Sequence, residues 1–316
     1  MLTKGTPFSE RAKPWKLGIV GWPLGYSLSP VMHNAALKAA GFPETYKEIK
    51  KQPGEELQAW LEEKAPQMDG FNVTMPHKEA VYKWVREHGE VRGVLDLPFV
   101  RIDAVNTVKV EKGRLIGCNT DGSGFFHSLP KDLDLKGKSV LLLGAGGAAK
   151  AIADYLDGAV QIGLLKIWNR HPERAEELAK RINAPGGVCR ASAFTEAAEI
   201  SLDGIDLVVN ATSLGMKDAG DVPTEVLRQL NGRQVVYDIV YQPLETKLIK
   251  VARERKCRTI TGDEMLLNQG VEAFEIWMSS GPGDGKPISI GGRSVREIMK
   301  EALNERLLRQ PEADSQ

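Results

Sequence analysis

The segment that most constrains the fold is KSVLLLGAGGAAKAIADYL, at positions 138–156. It joins an apolar run to a helix-forming run through a turn that contains Gly144 and Gly146. In such a unit the first glycine permits a tight turn, and the second lets a pyrophosphate approach the backbone. Ala149 stands where a small residue lets the helix pack closely on the strand. The segment therefore predicts a dinucleotide-binding strand–turn–helix unit, with a purely structural turn as the alternative.

Strand and helix patterns alternate along the rest of the chain. After residue 138 we expect strands at 139–143, 164–168, 207–210 and 234–239, and helices at 148–155, 172–182, 264–277 and 295–308. Before it we expect strands at 17–22 and 70–73 and helices at 30–40 and 78–88. Residues 104–110 and 114–117 are expected to form a hairpin or two edge strands. This alternation predicts an α/β fold with a Rossmann-like, doubly wound parallel sheet.

Length and charge narrow the class of protein further. The chain has 316 residues, and at about 150 residues per domain this length suggests two domains. Lys plus Arg and Asp plus Glu both number 42, which argues against a strongly basic nucleic-acid-binding protein. The apolar stretches are too short for a membrane span, and three scattered cysteines suit a reducing cytoplasm. We expect a cytoplasmic protein with a small-molecule substrate and no nucleic-acid, membrane or metal partner.

The end of the second strand of this sheet indicates which dinucleotide is bound. A site for NAD usually has an Asp or Glu there, which holds the ribose 2′-hydroxyl. Here the strand ends in Asn169 and Arg170, with Arg174 one turn further on. Since a guanidinium pairs well with a 2′-phosphate, we predict NADP(H) as the cofactor. The alternative is that both arginines are solvated charges at the start of a helix.

Polar residues in four segments outside that sheet form a second pattern. In YSLSP, Ser27 and Ser29 are two positions apart, and in extended chain both hydroxyls would face one side and bind one carboxylate. The alternative is turn formation by Ser27 and helix capping by Ser29. The other segments are NVTMPHK, AVNT and NTDGSG. They carry Asn72, Thr74, Lys78, Asn106 and Asp121, each of which alone also fits a turn, a strand end or a solvated charge.

Together with five further segments, these four resemble the shikimate dehydrogenase family. The others are GAGGAAKA, NR at 169–170, NATSLGM, YDIVYQPLET and GDEMLLNQG, and all nine follow the family's order between residues 17 and 277. The resemblance implies a substrate domain made of residues 1–121 and the returning C-terminal helices at 263–316. The dinucleotide domain, residues 122–262, would be inserted between these parts.

The resemblance also implies an activity and a set of site residues. The activity is the reversible, NADP-dependent reduction of 3-dehydroshikimate to shikimate, with Lys78 and Asp121 as the catalytic pair. The substrate-binding residues would be Ser27, Ser29, Asn72, Thr74, Asn106, Tyr241 and Gln269. The cofactor-binding residues would be Gly144, Ala145, Gly146, Gly147, Ala148, Asn169, Arg170, Arg174, Thr212, Ser213, Met216 and Gly262.

Three positions depart from the family pattern. Asp103 replaces the usual Gly before AVNT, His171 replaces the usual Thr after NR, and residues 281–292 look like an inserted surface loop. Two other functions remain open at this point: a quinate/shikimate dehydrogenase with relaxed choice of substrate or cofactor, and a non-catalytic shikimate-binding regulator. The protein is expected to be a monomer or a homodimer.

Overall fold

A computed structural model describes residues 13–92, 103–279 and 287–308. Within these ranges the chain forms two compact units. The first unit contains the described residues up to 120 and those from 267 onward, and the second contains residues 121–266. None of the helices in the described part of the chain is both long and apolar enough to cross a membrane.

The second unit is built on a six-stranded sheet in which every paired strand is parallel. Its strands are β7 (Ser139–Leu143), β8 (Leu164–Trp168), β9 (Arg190–Phe194), β10 (Leu207–Asn210), β11 (Val235–Asp238) and β12 (Arg258–Thr261). Its helices are α4 (Asp121–Ser128), α5 (Gly147–Tyr155), α6 (Pro172–Ile182), α7 (Thr224–Gln229) and α8 (Lys247–Glu254). The strand order β12-β11-β10-β7-β8-β9 is doubly wound, as predicted.

Both faces of this sheet are buried, which explains the continuous apolar runs of its strands. Val140 and Leu142 belong to the hydrophobic cluster on one face, and Leu141 and Leu143 belong to the cluster on the other. Successive side chains of a strand point to opposite faces, so the side chains of a central strand such as β7 meet apolar surroundings on both sides of the sheet.

The first unit contains a mixed six-stranded sheet of order β2-β1-β3-β5-β6-β4. Its strands are β1 (Gly18–Gly21), β2 (Lys47–Lys50), β3 (Gly70–Val73), β4 (Glu90–Val91), β5 (Thr107–Glu111) and β6 (Arg114–Cys118). Its helices are α1 (Ser29–Ala39), α2 (Glu55–Glu63), α3 (Lys78–His88) and α10 (Val295–Leu308), together with most of α9 (Asp263–Met278). The predicted hairpin is β5 and β6, joined by Lys112 and Gly113, both with positive φ.

The C-terminal helices pack on the first unit. Helix α10 packs against α1, and Trp277 of α9 donates a hydrogen bond from its indole nitrogen to the Val108 carbonyl, 2.9 Å away. Gly70 makes room for this contact, because a Cβ there would lie 2.4 Å from the Trp277 ring. Of the loop at 281–292, residues 281–286 lie outside the described part. The rest contains β13 (Ser289–Ile290), which forms a short hairpin with β14 (Arg293–Ser294) directly after the loop.

Candidate active site

The glycine turn after β7 has the conformation that a dinucleotide requires. Gly144 has φ +117°, and a Cβ there would lie 2.9 Å from the Ala211 carbonyl oxygen. Gly146 is the N-cap of α5, and a Cβ built on it meets nothing within 4 Å. Ala149 is fully buried against the sheet, as predicted. The space beside Gly146 at the start of α5 is therefore open, and helix N-termini are where phosphates bind.

The NATSLGM segment lies directly beside this turn. A Cβ on Gly144 would lie 3.1 Å from Cγ2 of Thr212, so the two segments form one edge of the sheet. The Thr212 hydroxyl donates to Oδ1 of Asn210 at 2.6 Å and accepts the Leu214 N–H at 3.0 Å. Ser213 and Met216 follow in the same turn, and both are half-buried. The predicted cofactor residues of these two segments are thus brought together at the carboxyl ends of β7 and β10.

The tip of β8 carries the basic residues expected for a 2′-phosphate. Asn169 bends the chain by donating from its side-chain nitrogen to the His171 carbonyl at 3.0 Å. Arg170 is exposed directly after the strand, and Arg174 is exposed in the first turn of α6. Strand β8 is the neighbour of β7. An open glycine cradle with guanidinium groups at the adjacent strand tip fits a 2′-phosphorylated dinucleotide.

A buried network of amides and hydroxyls joins three predicted substrate residues in the first unit. Asn72 donates from its side-chain nitrogen to the Thr107 hydroxyl at 3.1 Å and to the Asn106 carbonyl at 3.3 Å. Its Oδ1 accepts the Tyr46 hydroxyl at 2.7 Å. The Asn106 side chain donates in turn to Oε1 of Gln269 at 3.5 Å. Asn72, Asn106 and Gln269 therefore lie together, as the resemblance predicts for residues around one polar ligand.

Thr120 holds this network together and was missed by the sequence analysis. Its hydroxyl accepts from the Asn106 side-chain nitrogen at 2.9 Å and donates to the Gln269 carbonyl at 3.0 Å. Its backbone N–H donates to Oδ1 of Asn106 at 2.8 Å. Because Thr120 immediately precedes Asp121, these bonds also fix the backbone from which the Asp121 side chain projects. The NTDGSG motif contained the residue, but its partners come from distant segments.

The prediction for the serine pair was partly wrong. Leu28 between them has helical angles, φ −91° and ψ 0°, so the chain is not extended there. Ser29 does not cap the helix, because it is the first residue of α1. Instead the Ser27 hydroxyl accepts the Ser29 N–H at 3.3 Å, which is the turn-forming role considered as the alternative. Both serines nevertheless lie at the N-terminus of α1, where the helix dipole favours an anionic group.

Lys78 is the first residue of α3, and its side chain is half-buried. Its carbonyl accepts the Val105 N–H at 3.0 Å, which joins NVTMPHK to AVNT. A cation at the start of a helix is at the end where the helix dipole disfavours positive charge. The stability of α3 therefore does not explain a lysine at this position.

Asp121 lies in a helix and not in the Gly-rich turn that the sequence suggested. It is the first residue of α4 and is 5% exposed. The glycines misled the prediction because one of them serves packing: a Cβ on Gly122 would lie 2.3 Å from the Tyr155 ring of α5. A carboxylate at a helix N-terminus is favoured by the helix dipole, whereas the same dipole disfavours the ammonium of Lys78 at the start of α3.

The remaining predicted residues lie at the edges of the two sheets. Thr74 follows β3 and hydrogen-bonds the hydroxyl of Tyr26, a second residue that the sequence analysis missed. Burial raises the pKa of this tyrosine. In the second unit Tyr241 follows β11 and is half-buried. Gly262 lies after β12, and a Cβ there would collide with the Ile239 carbonyl at 2.1 Å, so only glycine lets these two segments meet.

The three cysteines of the chain are buried. Cys118, Cys189 and Cys257 are free thiols in the interior. Burial raises the pKa of Cys118 and of Cys189 to about 12, which keeps both as unreactive thiols at neutral pH. Within the described ranges no group of three His, Cys, Asp or Glu side chains is arranged to hold a metal ion.

Two family models match the chain. One, the shikimate dehydrogenase substrate binding domain, matches residues 19–108. The other, shikimate / quinate 5-dehydrogenase, matches residues 128–236. The shikimate dehydrogenase (NADP(+)) of Desulfitobacterium hafniense is 39% identical over 286 residues, which cover 90% of this chain and 97% of that relative.

Solved structures agree with these matches. The shikimate dehydrogenase of Aquifex aeolicus has a TM-score of 0.74 and 33% identity, covering 93% of this chain and 98% of its own. The shikimate 5-dehydrogenase of Thermus thermophilus, solved with NADP(H) and shikimate, has a TM-score of 0.70 and 32% identity, covering 91% and 99%. The chain belongs to the shikimate dehydrogenase family.

Proposed function

We propose that the protein catalyses the reversible, NADP-dependent reduction of 3-dehydroshikimate to shikimate, a step in the biosynthesis of aromatic amino acids. The observation that carries the proposal is the buried polar network of the first unit. Four separate family segments supply it, through Asn72, Asn106, Thr120 and Gln269. Burying several amides is costly for a protein core, whereas a ligand with several hydroxyls uses such groups as hydrogen-bond partners.

We assign substrate binding to the first unit. The N-terminus of α1 with Ser27 and Ser29 suits the carboxylate of shikimate, since hydroxyls and helix N–H groups are anion donors. Asn72, Thr74, Asn106 and Gln269 are assigned to the ring hydroxyls and the carboxylate. The Thr120 hydroxyl holds Asn106 and Gln269 in place. Tyr241 of the second unit is assigned as a further contact to the carboxylate.

Lys78 and Asp121 are assigned to proton transfer. NADPH, when bound, supplies the hydride that reduces the ring carbonyl. The Lys78 ammonium stabilises the negative charge that develops on the carbonyl oxygen and donates the proton to it. Asp121 accepts a hydrogen bond from the hydroxyl that results. The two groups act as one coupled unit, so neither is named alone as the base.

We assign the cofactor to the carboxyl edge of the second sheet. Gly144–Gly147, with Ala145 and Ala148, would hold the pyrophosphate at the start of α5. Arg170 and Arg174 would pair with the 2′-phosphate, beside Asn169. Thr212, Ser213, Met216 and Gly262 would lie on the nicotinamide side. The buried thiols are consistent with a cytoplasmic location, and a monomer or homodimer is proposed for the assembly.

A matrix of initial rates tests the proposal. Shikimate and quinate are each offered with NADP and with NAD, and the absorbance of the reduced nicotinamide is followed. Shikimate with NADP should give the highest kcat/KM of the four pairs. A higher kcat/KM with quinate would assign the relaxed alternative, and no reduction with any pair would identify a binding protein without catalytic activity.

A further inference from the structure

A second buried polar network lies in the second unit and includes a carboxylate. Asp238, at the end of β11, is completely buried. Its Oδ1 accepts the Asn210 side-chain N–H at 2.9 Å and the Val240 backbone N–H at 3.0 Å. Its Oδ2 accepts the Thr246 hydroxyl at 2.6 Å. Three donors therefore converge on this one side chain.

These contacts connect Asp238 to the turn at 210–216. The Asn210 side-chain nitrogen, which binds Asp238, also donates to the Leu214 carbonyl at 2.9 Å. Its Oδ1 accepts the N–H of Thr212 at 3.2 Å and the hydroxyl of the same residue at 2.6 Å. Asp238 therefore holds the Asn210 side chain in place, and Asn210 in turn holds the backbone and the side chain of Thr212.

Thr246 supports the turn from the other side. It is the N-cap of α8, and its hydroxyl accepts the Ile249 N–H at 3.3 Å. A Cβ on Gly215, which has φ +98°, would lie 2.9 Å from Cγ2 of Thr246. The turn therefore rests on a threonine whose hydroxyl is held by Asp238.

We propose that Asp238 is a positioning residue for the nicotinamide end of the cofactor, acting through Asn210 and Thr246 on the turn at 210–216. The inference rests on the proposed function, which assigns Thr212, Ser213 and Met216 to that end. An asparagine side chain does not replace the Asp238 carboxylate here. Its NH₂ group would either face another hydrogen-bond donor or itself donate to the Thr246 hydroxyl, which reverses that hydrogen bond. Burial raises the pKa of Asp238 to about 6, so the carboxylate is the main form at neutral pH.

Binding of a whole cofactor and of half a cofactor separates this role from general destabilisation. The full-length wild-type protein and its Asp238→Asn, Thr246→Val and Thr246→Ser variants are titrated with NADPH and with adenosine 2′,5′-bisphosphate, which lacks the nicotinamide. Asp203→Asn is the matched control, since Asp203 is exposed and lies before β10, away from its carboxyl end.

Asp238→Asn and Thr246→Val should weaken NADPH binding about tenfold, the effect of losing a hydrogen bond to a charged group, with less than about twofold change for adenosine 2′,5′-bisphosphate. Thr246→Ser should bind like the wild type, because it keeps the hydroxyl. Equal weakening of both ligands, or no change in either, overturns the inference. If Asp238→Asn does not fold, the valine and serine variants at position 246 decide in the same way.

Failure of the proposed function gives a different result. A wild type that binds NADPH but does not oxidise shikimate contradicts the proposed substrate, and the Asp238 inference is then still decided by the binding ratios. A wild type that binds adenosine 2′,5′-bisphosphate and NADPH equally well overturns the inference, because the nicotinamide end then contributes no affinity for the turn to position.

Discussion

The two units each contain a buried polar network, and the two networks differ in charge. The first unit uses amides and hydroxyls, centred on Asn106 and Thr120. The second uses a carboxylate, Asp238, that accepts three hydrogen bonds. A neutral network suits a substrate site because its groups can exchange hydrogen bonds with ring hydroxyls at little electrostatic cost. A buried carboxylate is stabilised by each hydrogen bond that it accepts, and it is therefore suited to holding the donating groups and their backbone in place.

Loss of the proposed catalytic ammonium should have the largest effect, and only on chemistry. Lys78→Ala should lower kcat about 10²- to 10⁴-fold, because it removes a proton donor that acts in the transition state. The dissociation constant of NADPH should not change. Stopped-flow absorbance and equilibrium titration measure the two quantities. Lys83→Ala, an exposed lysine on the same helix, is the control. Near-native kcat in Lys78→Ala would contradict the assignment of this residue.

Removal of the hydroxyl that joins the neutral network should destabilise the protein. Thr120→Val keeps the shape of the side chain but removes the two hydrogen bonds that the hydroxyl makes with the Asn106 amide and the Gln269 carbonyl, at a cost of about 2 kcal/mol. Urea denaturation measures the free energy of unfolding. Thr195→Val, which removes an exposed hydroxyl, should change it by less than about 0.5 kcal/mol. Equal effects of both substitutions would show that the network does not stabilise the first unit.

The serine at the start of α1 should affect substrate binding more than turnover. Ser27→Ala should raise the KM for shikimate about tenfold, as expected for one lost hydrogen bond to an anion, with little change in kcat. Steady-state kinetics at saturating NADP measure both constants. A loss confined to kcat would argue against a role for Ser27 in holding the carboxylate. The variant should also lose the turn bond to Ser29, so circular dichroism checks that α1 remains folded.

The charged network should make the second unit sensitive to pH. Burial raises the pKa of Asp238 from 3.8 to about 6, so the folded protein takes up a proton more readily than the unfolded chain. The free-energy cost of burying the charged carboxylate is present above pH 6. It decreases as the pH falls, because protonation removes the charge. The free energy of unfolding of the wild type, relative to Asp238→Asn, should therefore rise by about 1 kcal/mol between pH 7 and pH 5. A constant difference across that range would contradict the raised pKa.

The two units also differ in how far their structure followed from sequence. Strands β7, β8 and β10 have the predicted bounds, because strands buried on both faces consist mostly of apolar residues between glycines and turns. Strand β2, with the sequence KEIK, was not predicted because it is a largely exposed edge strand with three charged residues. Helix α4 was missed since Gly122, which looks like a turn residue, is needed for contact with Tyr155.

The site residues show the same limit. Motifs identified Asn72 and Asn106, but not Thr107 and Thr120, whose roles depend on the pairing of β5 with β6. That pairing places Thr107 opposite Cys118 and so brings its hydroxyl to 3.4 Å from that of Thr120. Similarly, the motif YDIVYQPLET contains Asp238, but it does not indicate that Asn210, 28 residues earlier, donates a hydrogen bond to this residue. Contacts between distant segments require the register of the sheet, which local patterns do not contain.

The most direct test of whether the two networks serve separate ligands is to measure both ligand constants for one variant from each network. The KM for shikimate and the dissociation constant of NADPH are determined for Thr120→Val and for Asp238→Asn at pH 7.5. Thr120→Val should raise only the KM for shikimate, and Asp238→Asn should raise only the dissociation constant of NADPH. A shift of the same constant by both variants would show that the two networks do not serve separate ligands.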